Sequence, residues 1–186
     1  MDPAEEIVNS YLHSRGYFTI TNTKVGLKEI DIVALQPKSG HKLHAEVHIS
    51  LKPTGRIRPW GPLAYAKKPL RWRVLATCNN KFVGSTDKTT GRPTDRIVEK
   101  QVKKLLGGSD YEKWYVVGRI HTRDPVGDVA REFERNGVKL VFFEDLLADL
   151  KKSLTGIHMD NARRYIELCD AFLGRGPRAS IQSPGS

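Results

Sequence analysis

Three ionisable side chains, Asp31, Glu46 and His48, lie on the polar faces of two neighbouring stretches in which apolar and polar residues alternate. A sheet with helices before and after it in the chain is normally apolar on both faces, so carboxylates there are costly unless a cation compensates them. Carboxylate oxygens suit a hard cation such as Mg²⁺, which can activate water to attack a phosphodiester. The pattern therefore predicts a cation site with hydrolytic chemistry.

The two alternating stretches are typical of an antiparallel hairpin. Residues 28–35 and 43–51 each have a period of two, and the Pro-Lys-Ser-Gly sequence at 37–40 supplies a turn between them. Ile30, Ile32 and Ala34 are expected on one face of the first strand. His44 shares the polar face of Glu46, so one alternative is that His44, Glu46 and His48 supply three metal ligands from one strand. The favoured interpretation places His44 at the exposed start of its strand.

Further elements follow from periodicity and from stop signals. A helix begins at Pro3 and ends at Gly16, a short strand covers 17–21, and a helix covers 94–106 with Gly107 closing it. Strand 114–120, a helix from Asp124 and strand 138–143 form a crossover unit, so the two strands should be parallel. Helices are expected at 144–154 and 160–173. The fold class is therefore α/β: a mixed sheet of four to five strands flanked by helices.

Positive charge is concentrated in one segment. The chain carries a net charge of +10, and residues 52–92 contain ten basic residues and one acid, Asp87. Such self-repulsion is better explained by a polyanionic partner than by packing, although a solvated face is the simpler alternative. The segment is interpreted as a basic insertion whose only regular element is a strand near 72–77. The predicted nucleic-acid contacts are Lys52, Arg56, Arg58, Lys67, Lys68, Arg71, Arg73 and Lys81.

Composition sets the remaining bounds. The hydrophobic fraction of 39% and charged fraction of 28% are those of a soluble globular protein. Residues 1–173 are expected to form a single domain, followed by a disordered tail at 174–186 that is rich in Gly, Pro and Ser. No apolar run could cross a membrane, the start lacks a signal-peptide pattern, and the two cysteines are isolated. We therefore expect an intracellular, cytoplasmic protein that does not associate with a membrane.

The order of these features resembles the PD-(D/E)XK nuclease superfamily, which includes restriction endonucleases and archaeal Holliday-junction resolvases. The resemblance rests on a first helix with Glu6 ending at Gly16, then Glu-Ile-Asp-Ile-Val-Ala at 29–34 and Ala-Glu-Val-His at 45–48. It implies a restriction-endonuclease-like core in which Asp31 and Glu46 bind Mg²⁺ or Mn²⁺ and Glu6 is an auxiliary acid. The motif is short, so the resemblance depends on the ordered elements around it.

One position departs from that family. The third motif residue is usually lysine, and His48 stands in its place. Nearby carboxylates would favour a charged imidazole, and His48 would supply a cation in that form; in its neutral form it would act as general base or bind metal. Lys24, Lys52 and Lys104 are the replacement lysines considered, and none is compelling. Gln101, on the apolar face of its helix, would orient a water or phosphate, although a satisfied core amide is equally expected.

The resemblance and the basic segment together predict a metal-dependent DNA endonuclease that hydrolyses phosphodiester bonds. The nuclease interpretation favours a homodimer, because cutting two strands is most simply done by two active sites. Two alternatives stay open: a catalytically inactive nuclease fold that binds DNA, and an RNA-binding or RNA-processing protein whose aromatic residues stack on bases. Glycine-rich phosphate loops and nucleophile elbows are absent, so kinases, NTPases and serine hydrolases have no support.

Overall fold

A computed structural model describes residues 3–49, 68–118 and 124–153. The described part is an α/β fold built on a five-stranded mixed sheet with strand order β1-β2-β3-β4-β5. The elements in chain order are α1 (Pro3–Ser14), β1 (Phe18–Val25), β2 (Lys28–Gln36), β3 (His41–His48), α2 (Leu70–Phe82), α3 (Ile97–Leu106), β4 (Glu112–Val117), α4 (Val126–Arg135), β5 (Lys139–Phe142) and α5 (Phe143–Ser153). The expectation of a mixed sheet flanked by helices is confirmed.

The strand pairing divides the sheet into two halves. The first three strands are antiparallel, with Phe18 opposite Leu35 and Ile32 opposite Ala45. From β3 onward the strands are parallel, and α4 makes the crossover between β4 and β5. Both the hairpin predicted across 37–40 and the parallel crossover unit are therefore confirmed, with ends shifted by a few residues.

Helices cover both faces of the sheet. On one face, α1 and α5 pack over Ile32, Ala34 and other small apolar residues of the strands. On the other face, α2 and α4 contribute to a cluster with Tyr115 and Val117, while α3 packs over Val33. Covering both faces explains why the strands are so apolar, and it makes any ionisable group between the layers a costly exception.

The strand predicted near 72–77 is wrong, because this stretch belongs to α2. Val74, Cys78 and Phe82 are buried there at intervals of four residues, which is helical spacing, and they pack against the sheet. Arginines at 71 and 73 alternate with apolar neighbours and imitate a strand pattern locally. Within the basic segment, α2 therefore packs on the sheet and covers part of one face. The helix predicted at 160–173, the tail at 174–186 and the contacts Lys52, Arg56, Arg58 and Lys67 lie outside the described residues.

Within the described ranges, the helices are all too short or too polar to span a lipid bilayer.

Candidate functional site

Asp31 and Glu46 converge beyond the last regular pair of β2 and β3. Ile32 pairs with Ala45, so the same register places Asp31 opposite Glu46. The Oδ2 atom of Asp31 accepts a hydrogen bond of 2.7 Å from the backbone N–H of Val47. Asp31 is 9% exposed and Glu46 is 0% exposed. Two adjacent carboxylates are therefore held in a covered part of the sheet.

The backbone is distorted at this point of the sheet. Asn22 lies at the register position opposite Asp31 on β1 and has a φ of 51°, in the left-handed region. The expectation that Ile30 shares a face with Ile32 and Ala34 is wrong: Ile30 packs with Val33 under α3. The strict period of two breaks beside Asp31, where the ladder between β1 and β2 is locally irregular.

The charge on Asp31 is held at an energetic cost. Burial raises the pKa of its carboxyl group, and the negative charge of Glu46 raises it further, to about 7. The positive charge of Lys81 and the hydrogen bond from Val47 act in the opposite direction and only partly offset these effects. At neutral pH this cluster is therefore short of positive charge.

Each carboxylate oxygen of Glu46 has its own partner. The Nε2 atom of His44 lies 2.9 Å from Oε1, and the Nζ atom of Lys81 lies 3.0 Å from Oε2. Burial alone would raise the pKa of Glu46, but the interactions with His44 and Lys81 outweigh it and the pKa is lowered. Glu46 is therefore ionised although it is buried.

His44 is not at an exposed strand end, so that interpretation is wrong. Its side chain is 0% exposed, and its ring packs edge-on against Phe82 at 4.9 Å between centroids. Tyr111 lies 6.4 Å away, centroid to centroid. Phe82 of α2 and Tyr111, in the connection from α3 to β4, cover this end of β3, which the alternation of the strand alone could not reveal. His44 thereby joins the cluster as a hydrogen-bond donor to Glu46.

Lys81 is the cation that sequence reasoning did not place in the site. It was assigned to the nucleic-acid contacts, whereas its ammonium group pairs with Glu46 and its side chain is 30% exposed. Burial lowers the pKa of Lys81, but the carboxylates of Glu46 and Asp31 outweigh this and raise the pKa. The spacing of buried residues in α2 is the signal that could have found Lys81, since it directs the last turn of the helix toward the sheet.

His48 lies beside this cluster but does not replace the lysine as a cation. Its imidazole is exposed and stacks on Tyr115 at 6.2 Å with an interplanar angle of 13°. Desolvation lowers the pKa of His48, and the positive charge of Lys81 lowers it further. The expectation that nearby carboxylates would favour the charged imidazole is wrong, because desolvation and the positive charge of Lys81 both favour the neutral form.

On α1, the acid whose charge reaches the cluster is Glu5. Its Oε2 atom accepts a hydrogen bond of 2.9 Å from the Asn22 amide, and its charge raises the pKa values of both Asp31 and Lys81. Glu6 is the next residue and is half-buried, as is Gln101 on α3. The roles assigned to Glu6 and Gln101 stay predictions.

The described basic residues of the segment differ in their availability. The side chain of Arg71 is 89% exposed, although its Nε atom lies 4.0 Å from Oε1 of Glu132, and Lys68 lies over the ring of Trp72 at 5.3 Å. Arg73 instead pairs with Asp124 and is only 14% exposed. Lys68 and Arg71 can therefore meet a phosphate, whereas the guanidinium of Arg73 is engaged within the fold.

The donor set fits a magnesium-type ion better than a metal enclosed by protein ligands. Among residues 3–49, 68–118 and 124–153, no three His, Cys, Asp or Glu side chains form a group that could hold a metal ion. Mg²⁺, however, is commonly held by one or two carboxylates with water and substrate phosphates completing its shell. Asp31 and Glu46 supply two carboxylates, and the raised pKa of Asp31 marks a place where a further cation would be favourable.

Comparisons with known proteins leave the family open. No family model matches the chain, and no curated protein matches it. A solved structure titled as that of a protein of unknown function, AF1548, aligns with a TM-score of 0.44 at 15% identity. The alignment covers 93% of this chain and 100% of the other chain.

Proposed function

We propose that this protein is a divalent-metal-dependent endonuclease that hydrolyses phosphodiester bonds in DNA on a restriction-endonuclease-like core. The observation that carries the proposal is the convergence of two buried carboxylates, Asp31 and Glu46, with the ammonium group of Lys81 beside the β2–β3 pair. Lys81 lies 3.0 Å from Glu46, and Asp31 has a pKa of about 7. Such strongly perturbed ionisable groups, brought together from separate elements, are typical of a catalytic site.

Asp31 and Glu46 would hold the ion, Mg²⁺ or Mn²⁺. When bound, such an ion polarises a phosphoryl oxygen and lowers the pKa of a coordinated water. The proposal needs no third protein ligand, because substrate phosphate and water complete the shell. Glu5, whose charge already acts on Asp31, adds to the negative field that attracts a cation.

Lys81 and His48 would act directly on the reacting groups. The ammonium of Lys81 keeps its charge because its pKa is raised, and at 30% exposure it can donate a hydrogen bond to a phosphate oxygen as negative charge develops there. The exposed imidazole of His48 has a lowered pKa and is neutral at neutral pH, so it can accept a proton from an attacking water.

The basic segment would bind the DNA backbone. Arg71 lies in the first turn of α2 and Lys68 lies two residues before the helix, whose last turn carries Lys81. A helix rises about 1.5 Å per residue, so Arg71 and Lys81 are separated by roughly 15 Å along the axis. That distance corresponds to several phosphates of one strand. A homodimer would provide the second active site needed to cut both strands.

A cleavage assay with matched substitutions tests the proposal. Supercoiled plasmid would be incubated with the full chain in Mg²⁺ or Mn²⁺, with the variants Asp31→Asn, Glu46→Gln and Lys81→Met. Each should lower the cleavage rate by about 100-fold or more, since each removes charge at the reacting phosphate. Glu134→Gln and Lys104→Met change the same side-chain types at exposed positions and should cleave as the wild type does.

Three results decide between the candidate functions. A cleavage rate of the Asp31→Asn or Glu46→Gln variant equal to that of the wild type would refute the assigned site. Retention of DNA binding, with no cleavage by the wild type in either metal, would identify an inactive nuclease fold that only binds. Preferential binding or cutting of single-stranded RNA over duplex DNA would instead select the RNA-processing alternative.

A further inference from the structure

We propose that His44 is a positioning residue that fixes the carboxylate of Glu46 for a divalent cation. The proposal rests on the function proposed above and adds a residue that the chemistry of that function did not require. His44 touches neither the reacting phosphate nor the ion. It acts through the single hydrogen bond that its ring makes with Glu46.

The first argument is the burial of the pair. The side chains of His44 and Glu46 are 0% and 1% exposed. A buried polar group loses its hydration and must recover that free energy through its protein partners. For His44 the described partner is Glu46 alone, since its Nδ1 atom is buried without a hydrogen-bond partner among the described residues. The ring is therefore poorly explained as a satisfied core residue.

The second argument is the geometry of the bond. His44 and Glu46 are two residues apart on β3, so both side chains project from the same face of a strand that is paired with β2 and with β4. Phe82 packs edge-on against the imidazole at 4.9 Å, which restricts its rotation. A rigid ring on a central strand thus aims one N–H at one oxygen.

The third argument is that the two carboxylate oxygens of Glu46 have different partners. His44 occupies Oε1, which leaves Oε2 oriented toward Lys81 at 3.0 Å. Without His44 the carboxylate could rotate and present either oxygen to the ammonium. Outer partners that hold a metal-binding carboxylate or imidazole commonly change metal affinity or activity by about 10- to 100-fold. His44 occupies that type of position.

Metal binding, measured separately from cleavage, tests this role. Titration calorimetry with Mn²⁺ would compare the wild type with His44→Phe, which keeps a ring of similar size, and with His44→Gln, whose amide nitrogen occupies a place equivalent to Nε2. The Phe variant should bind Mn²⁺ about 10- to 100-fold more weakly. The Gln variant should recover most of that loss. The Mg²⁺ concentration for half-maximal plasmid cleavage should shift by the same factor.

His41→Phe is the matched control. His41 lies on the same strand and also pairs with a glutamate, at 3.2 Å from Glu112, but that pair is solvent-accessible. Its Mn²⁺ affinity should equal that of the wild type. Should His44→Phe fail to fold, His44→Asn serves in its place, because its amide is too short to reach Glu46.

The outcomes separate this proposal from the proposed function. Equal Mn²⁺ affinity in the wild type and folded His44→Phe, or no recovery in His44→Gln, would overturn the positioning role while leaving nuclease activity intact. Weakened Mn²⁺ binding in a protein that never cuts DNA would support the positioning role and reject the nuclease. A wild type that does not bind Mn²⁺ would reject both.

Discussion

Replacement of Asp31 by asparagine should stabilise the metal-free protein at alkaline pH, although it removes a proposed metal ligand. Asparagine keeps an oxygen that can accept the hydrogen bond from the backbone N–H of Val47, now 2.7 Å from Asp31. It does not carry the negative charge that burial and Glu46 oppose. The substitution therefore tests the electrostatic description of the cluster without any assumption about catalysis.

The pKa of Asp31 sets the magnitude. A carboxyl group whose pKa rises from 3.8 in the unfolded chain to about 7 in the folded protein binds protons more tightly when folded. The folded state therefore loses stability as the pH rises through this window, in total by about 4 kcal/mol at about 1.4 kcal/mol per pH unit. Roughly 3 kcal/mol of that loss falls between about pH 5 and about pH 8.5. The asparagine variant should not show it.

Urea unfolding in the presence of a chelator measures this difference. The free energy of unfolding of Asp31→Asn, relative to the wild type, should rise by about 3 kcal/mol from about pH 5 to about pH 8.5. Asp87→Asn is the contrasting control, because hydrogen bonds from Thr90 and Thr89 lower the pKa of Asp87 and its substitution should not stabilise the protein at either pH. A difference between Asp31→Asn and wild type that does not change with pH would refute the reasoning.

Three further predictions concern stability and DNA binding. Lys81→Met leaves a buried carboxylate without its cation and should lower the free energy of unfolding by about 2 kcal/mol, a value between those of surface and buried ion pairs. As the control, Lys103→Met breaks a more exposed pair and should lower the free energy of unfolding by about 0.5 kcal/mol or less in the same urea titration. Gly84→Ala would place a Cβ 2.0 Å from a neighbouring carboxylate oxygen and 2.7 Å from a carbonyl oxygen, so the midpoint of thermal unfolding should fall, whereas Gly127→Ala has open space in a helix and should raise or maintain it. Arg71→Ala should reduce the slope of log affinity for duplex DNA against log salt by about 0.9; an unchanged slope would exclude Arg71 from phosphate contact.

The fold was largely predictable because its strands and most helices carry strong local patterns. Alternation in β2 and β3, with a turn at 37–40, gave the hairpin, and glycines after helices marked their ends. The prediction of a strand in place of α2 has a local cause. Arg71 and Arg73 flank Trp72 with a period of two, and this pattern outweighed the four-residue spacing of the positions that are buried in the structure.

The candidate site was predictable only where its residues share one hairpin. Asp31 and Glu46 were identified because neighbouring strands bring them together in register. Lys81 is separated from Glu46 by 35 residues, and the helical spacing that turns the last turn of α2 toward the sheet does not indicate which strand Lys81 will meet. The prediction for His44 failed for the same reason, since its burial depends on Phe82 of α2 and on Tyr111 and not on its own strand.

The high cost of ionised Asp31 has a consequence for protein engineering. A redesign guided only by thermostability would replace Asp31 early, because asparagine at that position relieves repulsion and keeps an acceptor for the hydrogen bond from Val47. Heat-resistant variants chosen in that way would keep the five-stranded sheet and lose the cluster. Libraries built on this scaffold should therefore hold position 31 fixed, together with positions 46 and 81, and take stabilising changes from elsewhere.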